Sequence, residues 1–178
     1  VSGATGLIGR LLVEQLKHVT ILTRSKQPIE DPDKKPPSMT WRPADEMAPV
    51  AALEDRDVVF HLAGEPVATG RWSTAKKQRI RDSRVTGTRH LVQGIAECKN
   101  PPKVLIAASA VGFYGDRGDE ALDESSKQGS GFLPDVCNDW EHEAMAAEQH
   151  GVRVVCLRIG IVLARDGGAL EQMIPIFR

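Results

Sequence analysis

The stretch Val1-Ser2-Gly3-Ala4-Thr5-Gly6-Leu7-Ile8-Gly9 decides the fold, read with the helical pattern that follows it. It is a GxxGxxG pattern at a strand end. It opens a segment from Leu7 to Lys17 with Leu7, Ile8, Leu11, Leu12 and Leu16 on one helical face. The first glycine permits the tight turn, the second lets backbone approach a pyrophosphate, and the third lets helix and strand pack closely. The helix N-terminus then offers free N–H groups to an anion. A GxxGxxG in isolation reads as a structural turn; the strand–turn–helix setting makes it a phosphate loop. No Gly-Lys-Ser/Thr follows, which disfavours a Walker-type ATP site.

Four short apolar runs punctuate the chain: Val19 to Thr23, Val58 to Ala63, Val104 to Ala108 and Val152 to Ile159. Each is continuous rather than alternating and is bounded by Gly, Pro or charge, as strands buried on both faces are. Between them lie helical stretches. Ser73 is a candidate N-cap for a helix to about Glu97, with Ile80, Val85, Leu91, Val92 and Ile95 inward. A third helix spans roughly Asp135 to Gln149 and carries Trp140, Ala144 and Ala147. The segments Gln27–Pro49 and Gly115–Gly131 read as loops. Alternating strands and helices of these lengths predict an α/β fold, a doubly wound parallel Rossmann sheet with right-handed crossovers. A full strand should precede such a glycine turn, so the first strand is expected to be incomplete.

At 178 residues the chain is one domain's worth, with 41% hydrophobic and 26% charged residues. A formal net charge of -1 gives no reason to expect nucleic acid or an acidic membrane as partner. No apolar run is long enough to span a bilayer. Cys98, Cys137 and Cys156 lie far apart, without a CxxC pair or a His at metal-ligand spacing. They read as reduced thiols in a reducing compartment, cytoplasm or organelle interior, and no metal site is expected.

About 20 residues past the first glycine, an NAD site offers an Asp or Glu to the ribose hydroxyls. Here the sequence is Thr23-Arg24-Ser25-Lys26. A carboxylate would repel a 2′-phosphate, whereas Arg24 can bind one bidentately, so NADP is expected over NAD. The alternative is a solvated basic turn.

GATGLIG, HLAGEPV followed by GRWS, DSRVTGT, ASAVGFYGD, FLPDVCNDWE and LRIGIVLARDGGALEQMIPIF occur in this order. Together they resemble the atypical short-chain dehydrogenase/reductases of the NAD(P)-dependent epimerase-like family. The resemblance implies a single NAD(P)-binding Rossmann domain over residues 1–178, with a C-terminal substrate domain lying beyond it. It implies a cofactor site of Gly3, Ala4, Thr5, Gly6, Leu7, Ile8, Thr23, Arg24, Leu62, Ala63, Arg84 and Val162. Leu62 and Ala63 would face the adenosine side, Arg84 would reach the cofactor, and Val162 would lie near the nicotinamide. Strand-end packing explains Leu62, Ala63 and Val162 equally well. A solvated helix face explains Lys76, Lys77, Arg79 and Arg81.

Short-chain dehydrogenases use a Tyr as general acid/base, with a Lys four residues on that lowers its pKa. The one tyrosine is Tyr114 and position 118 is Gly, so no YxxxK exists. In extended members of the family the pair would fall near Phe132 or Leu133 and near Cys137. Ser109, or Ala110 in its place, stands where a Ser polarises substrate. Ser109 and Tyr114 are the catalytic candidates, placed after a strand's carboxyl end; Tyr114 packing over a turn is the structural alternative. Glu65, Arg71 and Trp72 are candidate substrate contacts, and Trp140 and Glu141 are expected to anchor the third helix. The functional expectation is an NADP-binding oxidoreductase or nucleotide-sugar epimerase acting on an unidentified small molecule. The alternative is a catalytically silent NADP-binding regulatory or scaffold protein.

Overall fold

The computed structural model describes residues 1–24, 36–164 and 167–174. Ser25 and Lys26, residues 27–35 of the expected loop, Arg165-Asp166 and the closing residues 175–178 of the last motif lie outside the described residues. One parallel sheet organises the rest. Strand β1 (Ile21–Thr23) pairs with β2 (Ser38–Thr40), and β3 (Val58–His61) with β4 (Val104–Ala110), which pairs with β5 (Arg153–Ile159). Ser2 bridges Leu22 on one side and His61 on the other. Its N–H donates to Phe60 O, its carbonyl accepts from Leu62 N, and Val1 O accepts from Leu22 N. With the Val1–Ser2 segment counted as the first strand, the spatial order is 3-2-1-4-5-6, the doubly wound Rossmann order with its reversal beside Ser2.

The apolar runs form strands where expected, burying Leu22 on β1, Val59 on β3 and Leu105, Ala107 and Ala108 on β4, while β5 is only partly buried. On β4, Leu105 and Ala107 join the main core with Leu91, Val92 and Ile95 of helix α2 (Thr74–Ala96). Ala108 points the other way and lines a cavity with Leu7 and Ile8 of helix α1 (Leu7–Gln15). Helices therefore cover both faces. Ser73 caps α2, its side chain accepting from Lys76 N, and all five residues assigned to its inward side are buried. In α1 only Gly9 is buried, while Leu11 and Ile8 are exposed.

Three boundaries differ from expectation. The segment read as a loop from Gln27 to Pro49 contains β2. It is a strand without an apolar run, held by the edge of β1 rather than by its own hydrophobicity. Helix α3 (Phe132–Met145) begins three residues before Asp135 and ends in a 3-10 turn at Ala146–His150. Ser109 lies inside β4, not beyond it, because pairing with Arg158 of β5 extends the strand to Ala110.

Candidate functional site

The glycine loop sits where the strand order reverses. Gly3 adopts φ 74°, and a Cβ there would stand 2.6 Å from the Leu62 carbonyl carbon. A Cβ on Gly9 would overlap the Gly3 carbonyl oxygen, so the third glycine packs α1 onto the loop itself rather than onto a strand. Gly6 differs: its φ of -74° suits any residue, and a Cβ there would meet only Gly3 O at 3.4 Å. The fold does not require glycine at position 6. The space beside it is open, and a Cβ would intrude on whatever the loop holds. Gly6 is also the N-cap of α1, with no side-chain cap and no acid in the first turn. The N–H groups of that turn are left for an external acceptor.

A cleft of about 380 Å³ opens in front of this loop. Gly3, Ala4, Thr5 and Gly6 form its floor, Thr23 and Arg24 one end, and Leu62, Ala63 and Glu65 the opposite wall. Buried Trp41 closes its base, donating Nε1–H to Glu46 O at 2.9 Å and tilted against His61. A second cavity of about 280 Å³ adjoins it through Gly3, Gly6 and Leu62 and is lined by Leu7, Ile8 and Val162. The two cavities thus carry every expected cofactor residue except Arg84.

Arg84 stands behind the cleft wall. Its Nη1 donates to Glu65 O at 3.0 Å and to Ile80 O at 3.3 Å, and the guanidinium lies 5.1 Å from the Trp140 ring and against Gly64. Burial pushes its pKa down, with Cys137 and Glu65 pulling it back up. Lys76 corrects the reading of a solvated basic face. It is buried, and its Nζ donates to Glu65 Oε1 at 2.8 Å. The hydrogen bond from Lys76 holds the Glu65 carboxyl below its usual range against the opposing effect of desolvation. Arg79 approaches the same oxygen at 3.7 Å, and Arg81 pairs with Asp139 of α3. Arg71 is exposed. Trp72, also exposed, donates to Val67 O and meets Phe132 edge-on, with centroids 5.9 Å apart.

Under the loop, His61 is fully buried between Ser2 Oγ on Nδ1 (2.7 Å) and Thr88 Oγ1 on Nε2 (3.1 Å). Burial above all lowers its pKa to about 4, so it is neutral.

Ser109 and Tyr114 are brought together by two residues from other elements. Ser109 Oγ donates to Glu141 Oε1 at 2.5 Å. Arg158 closes a bidentate pair on Glu141, Nε to Oε1 and Nη2 to Oε2, both 2.9 Å. The same guanidinium donates through Nη1 to Tyr114 OH at 3.0 Å and lies 3.5 Å from the Phe113 ring centroid. Burial pushes the Glu141 carboxyl up, but Arg158 and Ser109 bring it below its ordinary value. Glu141 thus anchors α3 to β4 and β5, as expected of it. Neither Ser109 nor Tyr114 lines either cavity. Cys137, near which the resemblance puts the family lysine, is buried beneath Gly112, and burial raises its thiol pKa. Among the described residues, no group of three or more His, Cys, Asp or Glu could hold a metal, and no helix is long and apolar enough to cross a membrane.

Sequence reasoning misses the Lys76–Glu65 and Glu141–Arg158 pairs. The signal available is helical spacing: Lys76, Ile80, Ser83 and Arg84 fall on one face of α2, and Cys137, Glu141 and Ala144 on one face of α3.

A glycine loop at the strand-order reversal of a parallel sheet, opening on a helix N-terminus and an arginine-ended cleft, defines a Rossmann-type protein of the NAD(P)-binding class. The chain belongs to the NAD dependent epimerase/dehydratase family, whose sequence model matches residues 1–177. It is 38% identical over 180 residues to an epimerase family protein of Mycobacterium tuberculosis, covering 99% of this chain and 58% of the relative. It is 40% identical to the chloroplastic SDR39U1 homolog of Arabidopsis thaliana over 186 residues, covering all of this chain and 52% of that protein. Among solved structures, the nucleoside-diphosphate sugar epimerase from Corynebacterium glutamicum superposes with a TM-score of 0.80 at 38% identity, over 99% of this chain and 36% of that one. The human epimerase family protein SDR39U1, solved with NADPH, gives 0.79 at 28% identity, over 99% and 58%. The chain thus spans little more than half the length of these curated relatives.

Proposed function

We propose that this chain holds NADP and forms the dinucleotide-binding part of an oxidoreductase or nucleotide-sugar epimerase of the short-chain dehydrogenase/reductase type. The observation that carries this reading is the pairing of Gly6 with Arg24 in one cleft. Gly6 leaves room against an uncapped helix N-terminus for a pyrophosphate, and Arg24 stands where a 2′-phosphate would be recognised. The human relative solved with NADPH supports the phosphorylated cofactor, and the corynebacterial relative supports sugar-nucleotide chemistry.

A nicotinamide held there supplies or accepts a hydride. The chain's own part is to bind and orient. The first-turn N–H groups of α1 would take the pyrophosphate, Arg24 the 2′-phosphate, and Leu62, Ala63 and Val162 the apolar faces. Ser109 and Tyr114 are the proposed hydroxyls for the reacting centre. With its proton given to Glu141, Ser109 keeps lone pairs as an acceptor.

Calorimetric titration of NADPH and NADH into wild type and Arg24→Asp tests the reading. NADPH should weaken about 10- to 100-fold in the variant, the worth of a charge-assisted bidentate contact. NADH should change by less than about threefold, lacking the phosphate that Arg24 contacts. Equal losses for both would refute the 2′-phosphate role. A wild-type dissociation constant above the millimolar range would refute the function.

A further inference from the structure

Across the larger cleft, the one that holds Arg24, hydrogen-bonding character changes sign. One end offers donors, Arg24 and the uncapped N–H groups that open α1. The opposite wall carries two polar side chains, Glu65 and Ser83 of α2. Ser83 has no hydrogen to offer: its hydroxyl donates to Ile80 O at 3.1 Å, and its oxygen accepts from Glu65 N at 2.9 Å. Glu65 O accepts from Arg84 Nη1 at 3.0 Å, and Glu65 Oε1 accepts from Lys76 Nζ at 2.8 Å. The main chain of Glu65 and one carboxylate oxygen are therefore fixed, the latter by a lysine with only 6% of its side chain exposed.

The carboxylate is only half used. Oε2 accepts no hydrogen bond among the described residues, and Glu65 keeps 23% of its side-chain surface. The hydrogen bond from Lys76 keeps the group ionised, so it can only accept. Between the donor end and this acceptor the lining is apolar, with Trp41, Pro43, Ala44, Ala63 and Pro66. A matching ligand carries an anion at one end, a flat apolar body, and an uncharged donor at the other. The 2′-phosphoadenosine part of NADP has that order. Its free ribose hydroxyl adjoins the phosphate, where a second anion is repelled. The 6-amino group lies at the far end of the base, is uncharged, and carries two N–H donors.

We infer that Glu65, held by Lys76, reads the adenine base of the cofactor, its free Oε2 accepting from the 6-amino group. This rests on the proposal that the cleft holds NADP, and it stays on the side of the site where Arg24, Leu62 and Ala63 stand. Glu65 is then a base-selecting residue and Lys76 its positioning residue.

Titrations of NADPH and of deamino-NADPH, which differs only in a 6-oxo group on the purine in place of the amino group, test it. Wild type should bind NADPH about 10- to 100-fold more tightly, the worth of a hydrogen bond to a charged acceptor. Glu65→Gln, whose amide can accept from an amino group or donate to a 6-oxo group, should bring the two cofactors within about threefold. Lys76→Met, which leaves the acceptor unanchored, should narrow the preference part of the way. Thermal melts confirm that both variants fold. A wild-type preference below about threefold would overturn the inference. So would equal losses for both cofactors in Glu65→Gln, which would reduce the residue to a structural staple or a ribose contact. Failure of wild type to bind NADPH at all would instead strike the underlying function, and this inference with it.

Discussion

Replacing Arg158 by Met removes one partner of the most heavily bonded ion pair in the described fold. The guanidinium makes two bonds to Glu141, one to Tyr114 OH and one to Glu124 O at 3.2 Å, and it stacks on Phe113. Both partners keep under a fifth of their side-chain surface, 19% and 15%. Breaking a buried pair from one side costs about 3–5 kcal/mol, because the remaining charge is left in low dielectric. The residual exposure and the surviving Ser109 bond relieve part of that, so about 2–4 kcal/mol is expected at pH 7. At roughly 2–4 °C per kcal/mol for a chain of this size, the melting temperature should fall by roughly 4–16 °C.

The pH dependence carries the sharper test. In the wild type, Glu141 has a depressed pKa, so its contribution is present above the unfolded carboxyl value and lost as pH falls through the folded value. Without Arg158, burial dominates and the pKa rises above the unfolded value. The penalty in the variant is then greatest at neutral pH and shrinks on acidification as the carboxyl takes up a proton. Urea denaturation at pH 7 and pH 5 measures the gap. A loss below about 1 kcal/mol at pH 7, or a gap that widens toward pH 5, would refute the reasoning.

Gly6→Ala should leave the urea midpoint almost unchanged and weaken NADPH tenfold or more, whereas Gly3→Ala should cost about 2 kcal/mol or more through its positive φ and its clash with Leu62; paired denaturation and titration curves check both. His61, neutral with a pKa near 4 because it is buried, is protonated more readily in the unfolded chain. Stability should therefore fall as pH drops from 6.5 toward 4, by up to roughly 3 kcal/mol, and His61→Asn should flatten that slope in acid denaturation.

What the sequence discloses is local. The glycine spacing, Ser73 as N-cap and the apolar runs of β3, β4 and β5 are set by neighbours in the chain, and each stands where expected. Strand β2 escapes because Ser38-Met39-Thr40 carries no apolar run and owes its conformation to Ile21–Thr23 across the sheet. The Glu141–Arg158 and Glu65–Lys76 pairs escape because their partners are 17 and 11 residues apart on different elements. Burial follows from the assembled layers: the same helix offers Lys76 to the interior and Lys77 to the surface. Ser109 is recognisable by motif, but its commitment to Glu141 depends on α3 crossing β4.

The three tryptophans divide the molecule into three optical addresses. Trp41, 1% exposed, closes the base of the cleft, Trp140 lies buried under Arg84, and Trp72 is open to solvent beside Phe132. Reduced nicotinamides absorb where buried indoles emit, so a cofactor entering the cleft would drain the excitation of Trp41 while Trp72 remains accessible to a soluble quencher. The chain thus carries an intrinsic donor at the proposed binding site, and occupancy there would be followed by light without any label.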